Sequence, residues 1–206
     1  MWKTVMLMAA VAIMGTGCSV EPLLNPPVGD AKEMDAATNK ELIGKWKASS
    51  NNAVYEGEAT WMLDEKGNPS GCLQIAASSN RDAKIKPLTP MIAGVFKIDN
   101  ELYIVLAADV KKMIDKDKYA DESVWMMRPN FFVAKLTPDN ADFKLEWVNF
   151  FEQTKNKAGE NIDVPIDSLA RKENGLVMNS TKELQKLLKE KKYKLQAPII
   201  LQRISK

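Results

Sequence analysis

The clearest pattern in the chain is an alternation of apolar and polar residues over residues 54–64. One face of this segment is apolar and carries Tyr55, Ala59, Trp61 and Leu63. The opposite face is polar and carries Glu56, Glu58 and Thr60. A period of two residues is typical of an antiparallel strand with one face in the core and one in solvent. We therefore predict a half-buried strand here, with the two glutamates on its solvated side.

Similar short apolar segments recur along the chain, separated by residues that favour turns. Turns are predicted at residues 66–71, at the Asp99–Asn100 pair and at residues 137–140. Residues 79–90 contain Pro87 and Pro90 and are expected to form a polar loop. The remaining predicted strands are 42–50, 72–78, 92–98, 102–107, 131–136, 143–148, 176–178 and 198–204.

One helix is predicted close to the end of the chain. Ser180 and Glu183 have the spacing of a capping box, in which each side chain accepts the other residue's backbone N–H. Leucines at 184, 187 and 188 follow at helical spacing, so the helix is expected over residues 181–191. Patterning is weaker elsewhere. We expect a short helix at 149–157, irregular chain at 158–174, and a short helix or flap at 109–122.

The order of these elements predicts the fold class. About eight or nine short strands, without the alternation of strand and helix that builds a parallel sheet, indicate a mainly β domain. The expected architecture is an antiparallel barrel or strongly bent sheet, with one C-terminal helix before the last strand.

The first 18 residues have the organisation of an export signal. Lys3 precedes an apolar segment over residues 5–14, and small residues then lead to Cys18. A positive start, an apolar centre and a small-residue exit are typical of a secretory signal peptide. The apolar segment is shorter than the ~20 residues of a transmembrane helix. Residues 1–17 are therefore predicted to be a signal peptide.

The four residues Gly15-Thr16-Gly17-Cys18 resemble the lipobox of bacterial lipoprotein precursors. The resemblance implies that Cys18 becomes the lipid-modified N-terminus, which anchors the protein in a membrane. In that family Ser19 favours transport to the outer membrane. We expect residues 18–41 to be the lipidated cysteine and a proline-containing extended tether, and residues 42–206 to be a single domain. An ordinary secretory signal with an unmodified Cys18 is the alternative.

Composition and charge limit the chemistry open to this domain. The chain of 206 residues is 45% hydrophobic, enough for one domain with a real core. A net charge of +2 gives no electrostatic reason to expect a nucleic-acid partner. The absence of histidine excludes His-based triads and His-ligated metals. We expect no catalytic residues, no metal and no cofactor, and we expect Cys72 to be a small core side chain.

A second resemblance involves Gly44-Lys45-Trp46, which is similar to the G-x-W motif that opens the first strand of lipocalins. Lipocalins fold as eight-stranded barrels around a pocket for an apolar ligand. The resemblance implies that Trp46 lies across the closed end of a barrel, with a late arginine packed on its ring. Arg203, in the last predicted strand, is the candidate partner through a cation–π contact. The alternative is a tryptophan that begins an ordinary core strand.

Two further groups of residues are candidates for binding. Trp125, Met126 and Met127 are consecutive, so they cannot all face one side of a strand. With Trp61, they are candidates for a ligand pocket or partner patch, and core packing is the alternative. The last predicted helix is basic, with lysines at 182, 186, 189, 191 and 192. These lysines are expected to form either a solvated face or a contact with anionic lipid.

Together these observations predict a membrane-anchored, exported lipoprotein with a non-enzymatic domain that binds an apolar small ligand or lipid. The expected location is the cell envelope, at the outer membrane facing the periplasm. The alternative is an envelope factor that recognises another protein or peptidoglycan. No spacing of carboxylates nominates a catalytic pair for a hydrolase.

Overall fold

The computed structural model describes residues 22–28, 33–50, 53–64, 66–81, 84–87, 90–109, 130–173 and 175–205. Cys18 and the Trp125–Met127 cluster lie outside these residues, as does most of the helix or flap predicted at 109–122. The predictions made for them therefore stay predictions.

Two helices and fourteen strands are defined in the described part of the chain. The helices are α1 (Ala36–Leu42) and α2 (Thr181–Lys189). The strands are β1 (Gly44–Ser50), β2 (Ala53–Leu63), β3 (Pro69–Arg81), β4 (Lys84–Pro87), β5 (Met91–Ile98), β6 (Glu101–Ala108), β7 (Phe131–Asp139), β8 (Asp142–Asn149), β9 (Phe151–Lys155), β10 (Asn161–Pro165), β11 (Lys172–Glu173), β12 (Leu176–Val177), β13 (Lys194–Leu195) and β14 (Ile199–Ser205).

Eight of these strands form a closed antiparallel barrel. The order around the ring is β1-β2-β3-β5-β6-β7-β8-β14, and β14 closes it by pairing with both β8 and β1. Neighbours in the ring follow one another in the chain apart from insertions, as in a meander. The predicted class, a mainly β barrel with one helix before the last strand, is confirmed.

One end of the barrel, which we call the floor end, is built from short turns. They join β2 to β3, β5 to β6 and β7 to β8. In the β5–β6 hairpin, Asp99 and Asn100 both have positive φ, 47° and 68°. Two consecutive residues of positive φ are what a tight two-residue hairpin requires, so this predicted turn is confirmed. The opposite end, called the upper end, carries the longer connections from β3 to β5, β6 to β7 and β8 to β14.

The molecule has one apolar core inside the barrel and another on its outside. The outer core forms where α2 and the N-terminal residues pack against β5, β6 and β7, which are thereby covered on both faces. The barrel contributes Phe96, Tyr103, Val105 and Val133 to it, and α2 contributes Leu184, Leu187 and Leu188. The Ser180–Glu183 capping box that begins α2 is present in both directions, as predicted.

The residues expected to form an extended tether are packed on the barrel wherever the structure describes them. We call residues 22–28 and 33–42 the N-terminal strap. Leu23 is 1% exposed and exchanges two backbone hydrogen bonds with Phe131, of 2.7 and 3.1 Å. This segment bends at Leu24, Asn25 and Pro27, and its apolar residues Leu23 and Val28 are buried in the outer core. The domain therefore includes part of the segment predicted to be a spacer.

Three local predictions are corrected by the pairing of strands. Residues 149–157 contain β9 and form no helix, because β9 pairs with β10 in a hairpin. That hairpin also gives structure to residues 158–174, which were expected to be irregular. The loop expected at 79–90 contains the end of β3 and all of β4. In each case cross-strand hydrogen bonds override a weak local preference.

The apolar face of β2 is also interrupted at its end. Leu63 was expected to face the core but is 58% exposed. The register with β3 shifts between Trp61 and Leu63. Because side chains alternate strictly along a strand, a local register shift changes which side the following residues face.

The seam between β3 and β5 depends on a side chain from α1. These two strands pair only from Leu73 to Ile75, so their floor-end halves lack each other's hydrogen bonds. Asn39, which is 0% exposed, bridges the gap. Its Oδ1 accepts the Val95 N–H at 3.0 Å, and its Nδ2 donates to the Gly71 carbonyl at 3.0 Å. The Asn39 side-chain amide thus replaces backbone hydrogen bonds that β3 and β5 do not make to each other at this position.

We expect Asn39→Ala to lower the free energy of unfolding by about 2–4 kcal/mol, because a buried N–H and a buried carbonyl both lose their partner. Lys40→Ala, at the exposed neighbouring position, is the matched control and should change it by less than about 0.5 kcal/mol. Urea denaturation of both variants measures the difference. If both substitutions lowered the free energy of unfolding equally, the Asn39 amide would not bridge β3 and β5 as described.

A polar cluster joins the outer layer to the barrel. Glu101 accepts hydrogen bonds from Lys135 at 2.7 Å, from the Tyr103 hydroxyl at 2.9 Å and from Lys191 at 3.2 Å. The Lys135 ammonium, with help from Tyr103 and Lys191, lowers the pKa of the Glu101 carboxyl to about 2. The Tyr103 hydroxyl also lies 2.8 Å from that of Tyr193. Residues of β6, β7 and the chain after α2 therefore meet at one carboxylate.

The lowered pKa of Glu101 predicts a pH dependence of stability. The ionised carboxylate stabilises the folded state fully above its ordinary pKa of 4.5, and this contribution is lost as the pH falls toward about 2. We expect Glu101→Gln to cost about 1–2 kcal/mol at neutral pH and progressively less below pH 4.5. Thermal unfolding of both proteins between pH 7 and pH 2 tests this. A penalty that stays constant over the range would contradict it.

Candidate ligand-binding cavity

A cavity of about 130 Å³ lies inside the barrel. Its wall is almost entirely apolar and extends from Leu42 and Trp46 at the floor end to Tyr55 and Met91 toward the upper end. The other side chains around it are Ala48, Ala59, Leu73, Ile75, Ala77, Ile104, Leu106, Leu145, Trp147 and Leu201, with Gly57 among them.

The space exists because one side of the barrel carries small residues. The inward positions of β1, β2 and β3 include Ala48, Gly57, Ala59 and Ala77. The strands opposite present large side chains such as Leu106, Leu145 and Trp147. An eight-stranded barrel is just wide enough for ordinary side chains to fill it, so a row of alanine and glycine leaves a void. Alternation along β2 was recognised in the sequence, but this coincidence of small residues on three neighbouring strands was not.

The cavity wall carries few polar atoms. Trp147 is 3% exposed, and its indole N–H has no hydrogen-bond partner among the described residues. A buried donor without a partner costs about 1–3 kcal/mol. The Trp147 ring forms part of the wall, but its N–H group is itself fully buried. Glu56 and Glu58 also border the cavity, but their side chains are exposed.

Trp46 and Arg203 meet at the floor end, as the lipocalin resemblance implied. They are register partners in the β1–β14 pairing, and the guanidinium carbon lies 4.2 Å from the centre of the Trp46 ring. Phe143 packs edge-on against the same ring, with centroids 5.6 Å apart. The stacked cation covers one face of the indole and closes the barrel beneath the cavity.

The same two side chains hold the C-terminal end of α1. Trp46 Nε1 donates to the Leu42 carbonyl at 2.7 Å. Arg203 donates to the Ile43 carbonyl at 3.1 Å and also to the Glu41 carbonyl. The last carbonyls of a helix have no partner within it, and a cation there also complements the helix dipole. The Trp46–Arg203 pair is therefore what fixes α1 across the floor of the barrel.

The side chains of the remaining predicted residues do not form the cavity wall. Trp61 is partly buried and packs on the barrel core near the floor end of β2, outside the cavity wall. Glu56 and Glu58 face outward, in register with Lys47 and Lys45 of β1, which fits the predicted solvated face. Cys72 is a free, half-buried thiol, and burial raises its pKa, so it is not activated as a nucleophile.

The lysines of the last helix are largely engaged with acidic neighbours. Lys189 lies 3.8 Å from Asp99, Lys191 lies 3.2 Å from Glu101, and Lys192 lies 3.6 Å from Asp167. These contacts neutralise much of the basic face. They weaken the case for a contact with anionic lipid through this helix.

Other kinds of site find no support in the described ranges. No group of three or more acidic or cysteine side chains there is arranged to hold a metal ion. None of the helices in these ranges has the length and apolarity to cross a membrane. Comparison of the chain with protein-family models, with curated proteins and with solved structures gives no match in any of the three. The candidate site therefore has to be interpreted from its own residues.

We expect Arg203→Met to lower the free energy of unfolding by about 2–4 kcal/mol, since the cation–π contact and the hydrogen bonds to α1 are lost together. Arg203→Lys keeps the charge without the planar fork and should recover only part of this. Gln202→Ala, at the exposed adjacent position, serves as the control in chemical denaturation. If Arg203→Lys kept the full free energy of unfolding, the positive charge alone would account for the contribution of Arg203 to stability.

Proposed function

We propose that the chain is an exported binding protein whose barrel receives an apolar group of a small molecule or lipid. The observation that carries this proposal is the apolar cavity inside the barrel, which is closed at the floor end by α1, Trp46 and Arg203. Small-molecule sites are typically concave and mostly apolar, with few polar groups to fix orientation. A β-barrel is compatible with such a role.

The size and lining of the cavity support a particular kind of ligand. A dry apolar cavity of roughly 150 Å³ accepts a benzene-sized molecule, and this cavity measures about 130 Å³. The ligand is therefore a small apolar molecule, or a larger one that inserts a ring or the end of an alkyl chain.

The proposal includes a lipid anchor on Cys18 after removal of residues 1–17, with the domain facing the periplasm from the outer membrane. Its support is the signal-like N-terminus and the lipobox resemblance. The protein acts without catalysis in this proposal, because the cavity wall offers neither a nucleophile nor a pair of carboxylates aimed inward.

A cavity-filling substitution tests the ligand role. Ala77 lines the cavity from β3, whereas Ala76 is exposed on the opposite face of the same strand. We expect Ala77→Leu to weaken binding of an apolar fluorescent probe at least about tenfold while leaving stability within about 1.5 kcal/mol, because the added methyl groups occupy existing space. Ala76→Leu is the matched control and should bind like the unmodified protein. Probe titration and urea denaturation give the two quantities.

Two results would contradict the proposed ligand role. Probe binding that is unaffected by Ala77→Leu in a folded protein places the ligand elsewhere. Absence of probe binding in the unmodified protein, together with native mass spectra of an empty chain, leaves the cavity without a function.

A second candidate function, recognition of an envelope protein or peptidoglycan, is favoured by the β9–β10 hairpin. All five residues of β10 are exposed, and Ile162 and Val164 are 41% and 39% exposed. Among the described strands β10 pairs only with β9, so within these residues its other edge is available to an added strand. In-cell crosslinking from position 162 that yields one stoichiometric partner would favour this function over ligand binding.

A further inference from the structure

The N-terminal strap begins at the upper end of the barrel. Leu23 pairs with Phe131, the first residue of β7, and Phe131 in turn faces Ala107 near the end of β6. The same stretch pairs with β12, since Leu24 donates to the Val177 carbonyl and Val177 donates to the Pro22 carbonyl, both at 2.9 Å. Four backbone hydrogen bonds therefore fix Pro22, Leu23 and Leu24 at one end of the molecule.

From there the strap runs along the outside of the barrel to the floor end. Thr181, at the start of α2, donates to the Pro26 carbonyl at 2.8 Å. Further along, Asp35 N–H donates to the Val95 carbonyl at 2.6 Å. The strap ends in α1, with Leu42 in the floor of the cavity. The direction of the chain is thus from the upper end down to the floor.

The position of Cys18 is limited by this attachment. Three residues lie between Cys18 and Pro22, so the chain takes four steps and can extend at most about 14 Å from the attachment at Pro22. The floor end lies further away by the height of the barrel, which is about 20 Å for strands of this length at the usual tilt.

We propose that the strap holds the barrel with its upper end toward the lipid bilayer and its floor end away from it. This inference rests on the proposed lipid anchor at Cys18. The surface it assigns is the one beside Pro22, Leu23 and Leu24, where the strap is attached to β7 and β12, and the partner is the lipid surface that carries the anchor.

The two ends of the barrel differ in ways that fit this orientation. The floor end is sealed by α1 and Arg203. The β9–β10 hairpin, with exposed Ile162 and Val164, leaves the barrel from the upper end of β8. Exposed apolar side chains beside an anchor suit the membrane interface.

The test uses the full-length protein purified from membranes and reconstituted in vesicles of phosphatidylethanolamine and phosphatidylglycerol that contain a nickel-chelating lipid. In a Cys72→Ala background, Ala197→Cys places a fluorophore at the upper end, just before β14. Asn140→Cys places it in the β7–β8 turn at the floor end. Both positions are exposed. Nickel at the bilayer surface should quench the upper label at least about threefold more than the floor label, given the ~20 Å between the ends.

Leu23→Asp supplies the matched control, because it should detach residues 22–24 from β7 and β12 while leaving Cys18 unchanged. In that background the two labels should be quenched to similar extents. Equal quenching with the strap intact, or stronger quenching at position 140, overturns the orientation. A protein that does not float with the vesicles has no lipid anchor, and this result overturns both the orientation and the anchored function. A protein that floats, is oriented as proposed and binds no apolar probe refutes the ligand role alone.

Discussion

The pairing of β1 with β14 is the constraint on which the rest of the structure depends. It joins the first and last strands of the barrel and leaves neither with an open edge. At the floor end of this pairing Trp46 and Arg203 are register partners, and both side chains also bind the end of α1. Barrel closure and the seal beneath the cavity therefore depend on the same two residues. If this pairing opened, the interior would become one face of a curved sheet, without an enclosed site.

The cavity is a consequence of how that closed interior is filled. Large side chains from β6, β8 and β14 face a row of alanine and glycine on β1, β2 and β3. Tight packing is the normal state of a protein core, and an unfilled apolar space weakens it. A space of this kind inside an otherwise well-packed barrel is what a ligand role would require. The outer core, which contains α2 and the strap, covers β5, β6 and β7; among the described residues, the outward-facing Glu56, Glu58 and Ala76 on the cavity side are exposed.

The sequence predicted the barrel because its signals are local. Alternation on β2, the Asp99–Asn100 turn and the Ser180–Glu183 capping box each depend on a few adjacent residues. The contact between Trp46 and Arg203 was reached only through a family resemblance, since nothing local links positions so far apart. The packing of Leu23 and the bridge made by Asn39 depend on distant partners, and a proline-containing segment shows no pattern that reveals them. The β9–β10 hairpin was missed because exposed strands lack the apolar alternation that marks a half-buried one.

The long separation between the two closing strands has a consequence for how the protein forms. Arg203 and its hydrogen-bond partner Ile43 are 160 positions apart in the chain. The hairpins from β1 to β8 can form from neighbouring segments, but the ring cannot close before the last few residues are available. Until then β1 and β8 present unpaired edges, which are templates for association with other chains. The chain passes through this open-edged stage as it folds, so its risk of association with other chains depends on how quickly the final strand reaches the first.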